Sequence, residues 1–246
     1  MNLIIDLGNT LSKYAVFNNN QIIFSSILCQ SNIITINDLK NINSKFPFAK
    51  QLIISSVINL NEGFLEDLNY FFDQVIVLNH QTLLPIQNGY STKTTLGYDR
   101  IATAVGANTM FPNENVLIID LGTAITFDVI DTSNTFLGGN ISPGMNTRFK
   151  ALNTFTKKLP LLSAQEEFSL IGNTTIEAII NGVQNGIIFE IEGYIAQLNN
   201  IYPSLKVILT GGDTFFFAKK LKNIIFAEPN LLFIGLNRIL NHNVEI

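Results

Sequence analysis

Short, mostly apolar runs alternate along the chain with segments whose apolar residues recur every three to four positions. The runs at residues 3–7, 52–57, 117–121 and 207–210 predict buried β-strands. The first and third lead into β-branched and aromatic segments, 13–17 with 21–24 and 125–130 with 135–137. Each pair is broken by turn residues, at 18–20 and 131–134, and so predicts a β-hairpin. Helical periodicity predicts helices at 37–46, 62–72, 98–110, 175–199 and 213–221. The longest sets Ile176, Ile179, Ile180, Val183, Ile187, Ile191, Ile195 and Leu198 on one face. Three strands followed by alternating helices and strands, twice over, predict two α/β domains.

The two halves share more than a pattern. Leu3-Ile4-Ile5-Asp6-Leu7-Gly8 returns, six residues identical, as Leu117-Ile118-Ile119-Asp120-Leu121-Gly122, 114 positions on. Solenoid repeats run at roughly 20–50 residues, so a spacing near half the chain points to a duplicated domain. Turn residues at 112–115 put the boundary there, giving domains at 1–113 and 114–246. Two similar domains facing one another would form a cleft, the usual place for a ligand.

Composition narrows the function classes. Of 246 residues, 47% are apolar and 14% charged, which supplies a core and excludes a disordered chain. A net charge of −4 with scattered lysines gives no basic surface for nucleic acid or anionic membrane. The single cysteine, Cys29, cannot form an intrachain disulfide and reads as a small core residue, which suits a reducing cytoplasm. The first apolar run stops at Asp6 after three residues, so neither a secretory signal nor a membrane span is expected.

Asp6-Leu7-Gly8-Asn9-Thr10 sets a carboxylate at a strand end, a glycine in the turn, then amide and hydroxyl donors at Asn9, Thr10 and Ser12, with Lys13 next. Gly8 lets backbone N–H groups approach a polyphosphate, and Asp6 can hold a Mg²⁺ that keeps most of its water. One such copy is compatible with an ordinary strand-to-turn junction. Two copies opening two similar halves favour duplicated phosphate loops. Leu209-Thr210-Gly211-Gly212 adds a turn that either approaches a nucleotide or is plain turn chemistry.

With Gly97-Tyr98-Asp99-Arg100 between Asp6–Thr10 and Asp120-Leu121-Gly122-Thr123-Ala124, the chain resembles the type III pantothenate kinases. These belong to the acetate and sugar kinase, Hsp70 and actin superfamily. Gly138–Gly144, Leu159-Pro160, Gly172–Thr175 and Leu209–Gly212 follow in the family's order. The resemblance implies two duplicated actin-like (ribonuclease H-like) domains with an ATP cleft between them. It implies transfer of the ATP γ-phosphate to the primary hydroxyl of pantothenate, the first step of coenzyme A biosynthesis. By position, Asp6, Leu7, Gly8, Asn9, Thr10, Leu11, Ser12, Lys13 and Thr123 would bind ATP, with Mg²⁺ reached from Asp6 through water. Asp120 would serve a monovalent cation, K⁺ or NH₄⁺. Asp99 would be the general base. Tyr90, Gly97, Tyr98, Asp99, Arg100 and Thr175 would contact pantothenate, Thr175 from the second subunit of a homodimer, with Thr174 able to take its place.

The chemistry agrees with these roles. A carboxylate aimed at an alcohol proton contributes roughly 10²–10⁴-fold. An arginine beside it offers a permanently charged fork for a substrate carboxylate. Plain readings stand beside them: Asp99 as the N-cap of the following helix with Arg100 solvated, Thr174 and Glu177 as a capping box, Asp120 as a degenerate copy of Asp6, and Asp128 on a solvent face. Phe215-Phe216-Phe217 reads as helix and core packing or as a subunit contact. His80 and His242 stand in no cluster. Two other functions remain: an actin-like ATPase or nucleotide-binding regulatory module without pantothenate kinase activity, and a kinase of another hydroxylated acid or sugar.

Overall fold

The computed structural model describes residues 1–8, 11–29, 34–57, 60, 62–223 and 225–245. They form two compact units, one of Met1–Pro112, Asn134–Phe136 and Leu231–Ile246, the other of Asn113–Ser133 and Leu137–Asn230.

In the first unit, β1 (Asn2–Leu7), β2 (Ser12–Asn18) and β3 (Gln21–Cys29) run as an antiparallel meander. The chain then passes through α1 (Ile36–Lys45) to β4 (Gln51–Ser56), parallel to β1, and through α2 (Glu62–Leu68) to β5 (Gln74–Val77), parallel to β4. The sheet order is β3-β2-β1-β4-β5. Leu3, Ile4 and Ile5 are fully buried, as a strand covered on both faces requires. A short β6 (Gln87–Asn88) precedes α3 (Tyr98–Met110), which begins and ends where its periodicity predicts. Thr35 and Asp38 form a capping box at α1.

The second unit repeats the plan. β7 (Val116–Leu121), β8 (Ala124–Ile130) and β9 (Thr135–Pro143) make the meander. After α4 (Met145–Phe155) and α5 (Thr175–Ile201), β10 (Lys206–Thr210) joins β7 in parallel. Then α6 (Thr214–Ala218) and β11 (Phe226–Ala227) complete five strands in the order β9-β8-β7-β10-β11, matching the first sheet, and β6 adds a sixth, parallel to β9. The chain ends in α7 (Leu231–Val244), which packs on α3 within the first unit.

In α5, Ile179, Ile180, Val183, Ile187, Ile191 and Ile195 are buried as expected, but Ile176 is 53% exposed, because the first turn overhangs the core. The aromatic run divides: Phe217 is fully buried and Phe215 exposed. No helix among the described residues is long and apolar enough to cross a membrane.

Candidate active site

Asp6 is the last residue but one of β1. Its antiparallel partner is Lys13 and its parallel partner is Ser55, so an ammonium flanks it on one side and a hydroxyl on the other. The Ser55 hydroxyl hydrogen-bonds the Asp6 carboxylate. Burial, and then the charge of Asp99, push the Asp6 carboxyl up to about 6, against the opposing pull of Ser55 and Lys13. A buried carboxylate whose ionised form is opposed by a second carboxylate makes a ready seat for a cation. Gly8 and Leu11 are half-buried beside them and Ser12 is buried. Asn9 and Thr10, both expected to bind ATP, lie outside the described residues.

Asp99 is held by the start of α3. The N-cap of that helix is Gly97, with no side-chain cap, so the reading of Asp99 as N-cap does not hold. Asp99 instead stands in the first turn, exposed, with Oδ1 accepting the Arg100 N–H at 2.8 Å. A Cβ on Gly97 would come within 2.5 Å of that same oxygen, so only glycine leaves the Asp99 carboxylate its position. Arg100 is not a solvated first-turn residue either. It is 6% exposed, its guanidinium 5.5 Å from the ring centre of Tyr90 and 6.0 Å from that of Phe136. A buried, permanently charged fork framed by aromatic faces is suited to a carboxylate-bearing ligand. The first unit thus gathers Asp6, Lys13 and Asp99 in one group, and Tyr90 with Arg100 in another joined to it through α3.

In the second unit Asp120 is the last residue but one of β7, opposite Thr126 on β8 and Thr210 on β10. The turn after Thr210 closes on it. Gly211 has φ of +92°, and a Cβ there would collide with the Asp120 carboxylate. Thr123 is exposed, and its carbonyl accepts two hydrogen bonds from the start of α4: Gly144 N–H at 3.0 Å and Thr147 Oγ1 at 2.7 Å. The loop is therefore fixed in shape while its residue tip stays open. Asp213, at the N-cap of α6, donates its N–H to Leu121 carbonyl at 3.0 Å, and burial raises its carboxyl. Asp128 corrects an expectation: it is fully buried, because Phe127 to Ile130 are covered on both faces of an interior strand.

Thr174 and Thr175 separate cleanly. Thr174 caps α5, its Oγ1 accepting the Glu177 N–H at 3.2 Å, while Glu177 accepts the Asn173 N–H at 2.9 Å. Thr175 is exposed and lines a cavity of about 680 Å³ with Arg148, Leu152, Leu159, Ile179 and Val183. Arg148 is braced by Pro143 carbonyl at 2.7 Å, Ser142 Oγ at 2.8 Å and the Glu190 carboxylate.

Ser55, Thr147 and Arg148 carry no motif that sequence reading singled out. Ser55 was legible only once pairing register was known.

A family model described as type III pantothenate kinase matches residues 2–197. A type III pantothenate kinase of Phocaeicola vulgatus is 46% identical over 246 residues, covering 100% of each chain. This chain belongs to the type III pantothenate kinase family. The family match spans Asp6–Thr10, the Gly97–Arg100 element, Asp120–Ala124 and most of α5. Among solved structures, a 2-dehydro-3-deoxygalactonokinase of Sinorhizobium meliloti aligns over 100% of each chain with a TM-score of 0.62 at 11% identity. A Campylobacter jejuni protein described as a Baf family transcriptional activator aligns over 99% of this chain and 100% of its own, with a TM-score of 0.61 at 24% identity. At such identities they speak to fold alone. It is the duplicated actin-like α/β fold that the sequence leads one to expect.

Proposed function

We infer that the protein is the ATP-dependent enzyme that phosphorylates pantothenate to 4'-phosphopantothenate in coenzyme A biosynthesis. The observation that carries the mechanism is the Asp99 carboxylate, cleared by Gly97 and close enough to Asp6 to oppose its ionisation. Asp99 takes the proton of the pantothenate primary hydroxyl as that oxygen attacks the γ-phosphorus. The bond from the γ-phosphorus to the ADP oxygen breaks in line. Arg100 pairs with the pantothenate carboxylate, with Tyr90, Gly97, Tyr98 and Thr175 completing the pocket. Asp6, Leu7, Gly8, Asn9, Thr10, Leu11, Ser12, Lys13 and Thr123 hold ATP.

The donor set at Asp6 fits Mg²⁺. One half-buried carboxylate with a second nearby suits a cation that takes few protein ligands and keeps its water. Bound there, Mg²⁺ neutralises phosphate charge. Asp120 is the ligand we assign to K⁺ or NH₄⁺, its carboxylate seated against the Gly211 turn. We also take residues 1–113 and 114–246 as the two duplicated domains, the cytoplasm as the compartment and a homodimer as the working form, with Thr175 contributed across the dimer.

The test is ADP release from ATP, Mg²⁺ and K⁺ with and without pantothenate. ADP release that depends on pantothenate, with a matching phosphorylated product, is expected. Asp99→Asn is expected to lower kcat by about 10²–10⁴-fold with ATP binding kept. Slow ADP release indifferent to pantothenate would favour an ATPase or regulatory module instead.

A further inference from the structure

In each sheet, the strand that carries the loop carboxylate has one parallel neighbour, and that neighbour sets a hydroxyl residue at the carboxylate's own register. Asp6 is paired with Ser55 and Asp120 with Thr210. Residues in register on neighbouring strands project to the same face, so hydroxyl and carboxylate lie side by side. Both hydroxyl residues are buried, Ser55 at 3% and Thr210 at 2% exposure. A buried hydroxyl requires a partner, and that of Ser55 is the Asp6 carboxylate. The other charges near Asp6 act in opposite senses. Lys13, its antiparallel partner, draws the carboxylate toward an ion pair, and Asp99 repels it. A carboxylate left to these two would turn onto Lys13 and present less charge to a metal. The hydroxyl on the opposite flank supplies a third, directional contact.

We propose that Ser55 is a positioning residue, whose hydroxyl holds the Asp6 carboxylate toward the metal and nucleotide, with Thr210 as its counterpart beside Asp120. The proposal rests on the reading of Asp6 as the group that meets Mg²⁺ and ATP. A threonine already occupies the matching register in the second sheet, so Ser55→Thr keeps the hydroxyl in a tolerated shape, whereas Ser55→Ala removes it.

The experiment is calorimetric titration of the full chain with a non-hydrolysable ATP analogue, with Mg²⁺ and with EDTA, for wild type, Ser55→Ala, Ser55→Thr and Asp6→Asn. Steady-state kinetics and melting temperatures accompany it. Ser55→Ala is expected to weaken Mg²⁺-dependent analogue binding by about 10–100-fold. Binding in EDTA and the KM for pantothenate should stay unchanged, and Ser55→Thr should restore most of the loss. Mg²⁺-dependent binding by Ser55→Ala within about twofold of wild type would overturn the proposal, the expected loss being far larger. So would a Ser55→Thr protein of normal melting temperature that binds no better than Ser55→Ala. If Asp6→Asn itself binds the Mg²⁺ complex like wild type, the reading of Asp6 fails, and the proposal with it.

Discussion

Asp6 is held where its charge is costly to the ligand-free protein, since burial and Asp99 both favour its protonated form. The consequence for stability has a definite sign. Between the unfolded value of 3.8 and the folded value of about 6, the native state keeps a proton that the unfolded chain has released. Stability therefore falls as pH rises through that window and stays lowered above it. Asp6→Asn removes the effect. In EDTA, urea titrations of wild type and Asp6→Asn should agree near about pH 4 and diverge by about pH 7.5. The variant should then be the more stable by about 1–2 kcal/mol, after discounting for solvent around a half-buried group. A variant that is less stable at the higher pH, or a difference that ignores pH, would contradict the electrostatic account. At this scale the sequence was partly legible. Asp6, Asp99 and Arg100 stood out as motif residues, but whether Asp99 caps its helix or faces a ligand depended on which residue the chain uses as N-cap. The burial of Asp128 and the role of Ser55 depend on strand pairing, which no local pattern encodes.

Helices α3 and α7 meet through glycine. A Cβ on Gly106 would collide with the Leu231 carbonyl, and one on Gly235 with that of Ala102, so the two backbones are in direct apposition. Asn2 Nδ2 donates to Asn237 Oδ1 and Asn241 Oδ1 at 2.7 Å each, and Asn237 Nδ2 to Asn19 carbonyl at 3.0 Å, fixing α7 to the edge of β1. α7 thereby backs the helix that presents Asp99. Gly235→Ala is expected to destabilise by about 2 kcal/mol or more, as overpacking against backbone does. Gly193→Ala, in α5 with open space around it, should stabilise by about 0.5–1 kcal/mol. Comparing the two by chemical denaturation separates close approach from helix propensity, and equal effects would refute the contact. Neither α7 nor α4 was legible beforehand. α7 carries Gly235 in its second turn, which reads as a helix breaker until its partner helix is known. α4 follows Gly138-Gly139 and Pro143-Gly144 and buries only Met145 and Phe149, too little for a periodic signal. α3, α5 and the strands β1, β2, β7 and β8 were legible because each buries a continuous face, whereas the exposed β3 was legible from its β-branched and aromatic residues.

The whole molecule is two copies of one topology, and the repeat of Leu3–Gly8 at Leu117–Gly122 announced it, because that segment is the central strand and loop of each sheet. What the repeat does not carry is the surface unique to the second copy. The end of α4, the α4–α5 connection and the first turn of α5 expose Phe155 at 85%, Leu161 at 58%, Leu170 at 69%, Ile171 at 81% and Ile176 at 53%. Leu152, Leu159 and Thr175, from the same part of the chain, line the cavity of about 680 Å³. Apolar side chains exposed together at this density are characteristic of protein contact surfaces. The proposed homodimer would cover that surface with a second copy of this chain and set Thr175 at the seam. Light scattering of the wild-type protein at micromolar concentration should give twice the chain mass of 27.3 kDa. Ile171→Asp with Ile176→Asp, at side chains 81% and 53% exposed, should give the monomer, with an unchanged melting onset for the monomeric fold. The KM for pantothenate should then rise while Mg²⁺-dependent binding of an ATP analogue, which draws on loop residues of the chain itself, is kept. A wild-type monomer would remove the dimer, and monomeric variants with undiminished pantothenate turnover would remove Thr175 from the shared site.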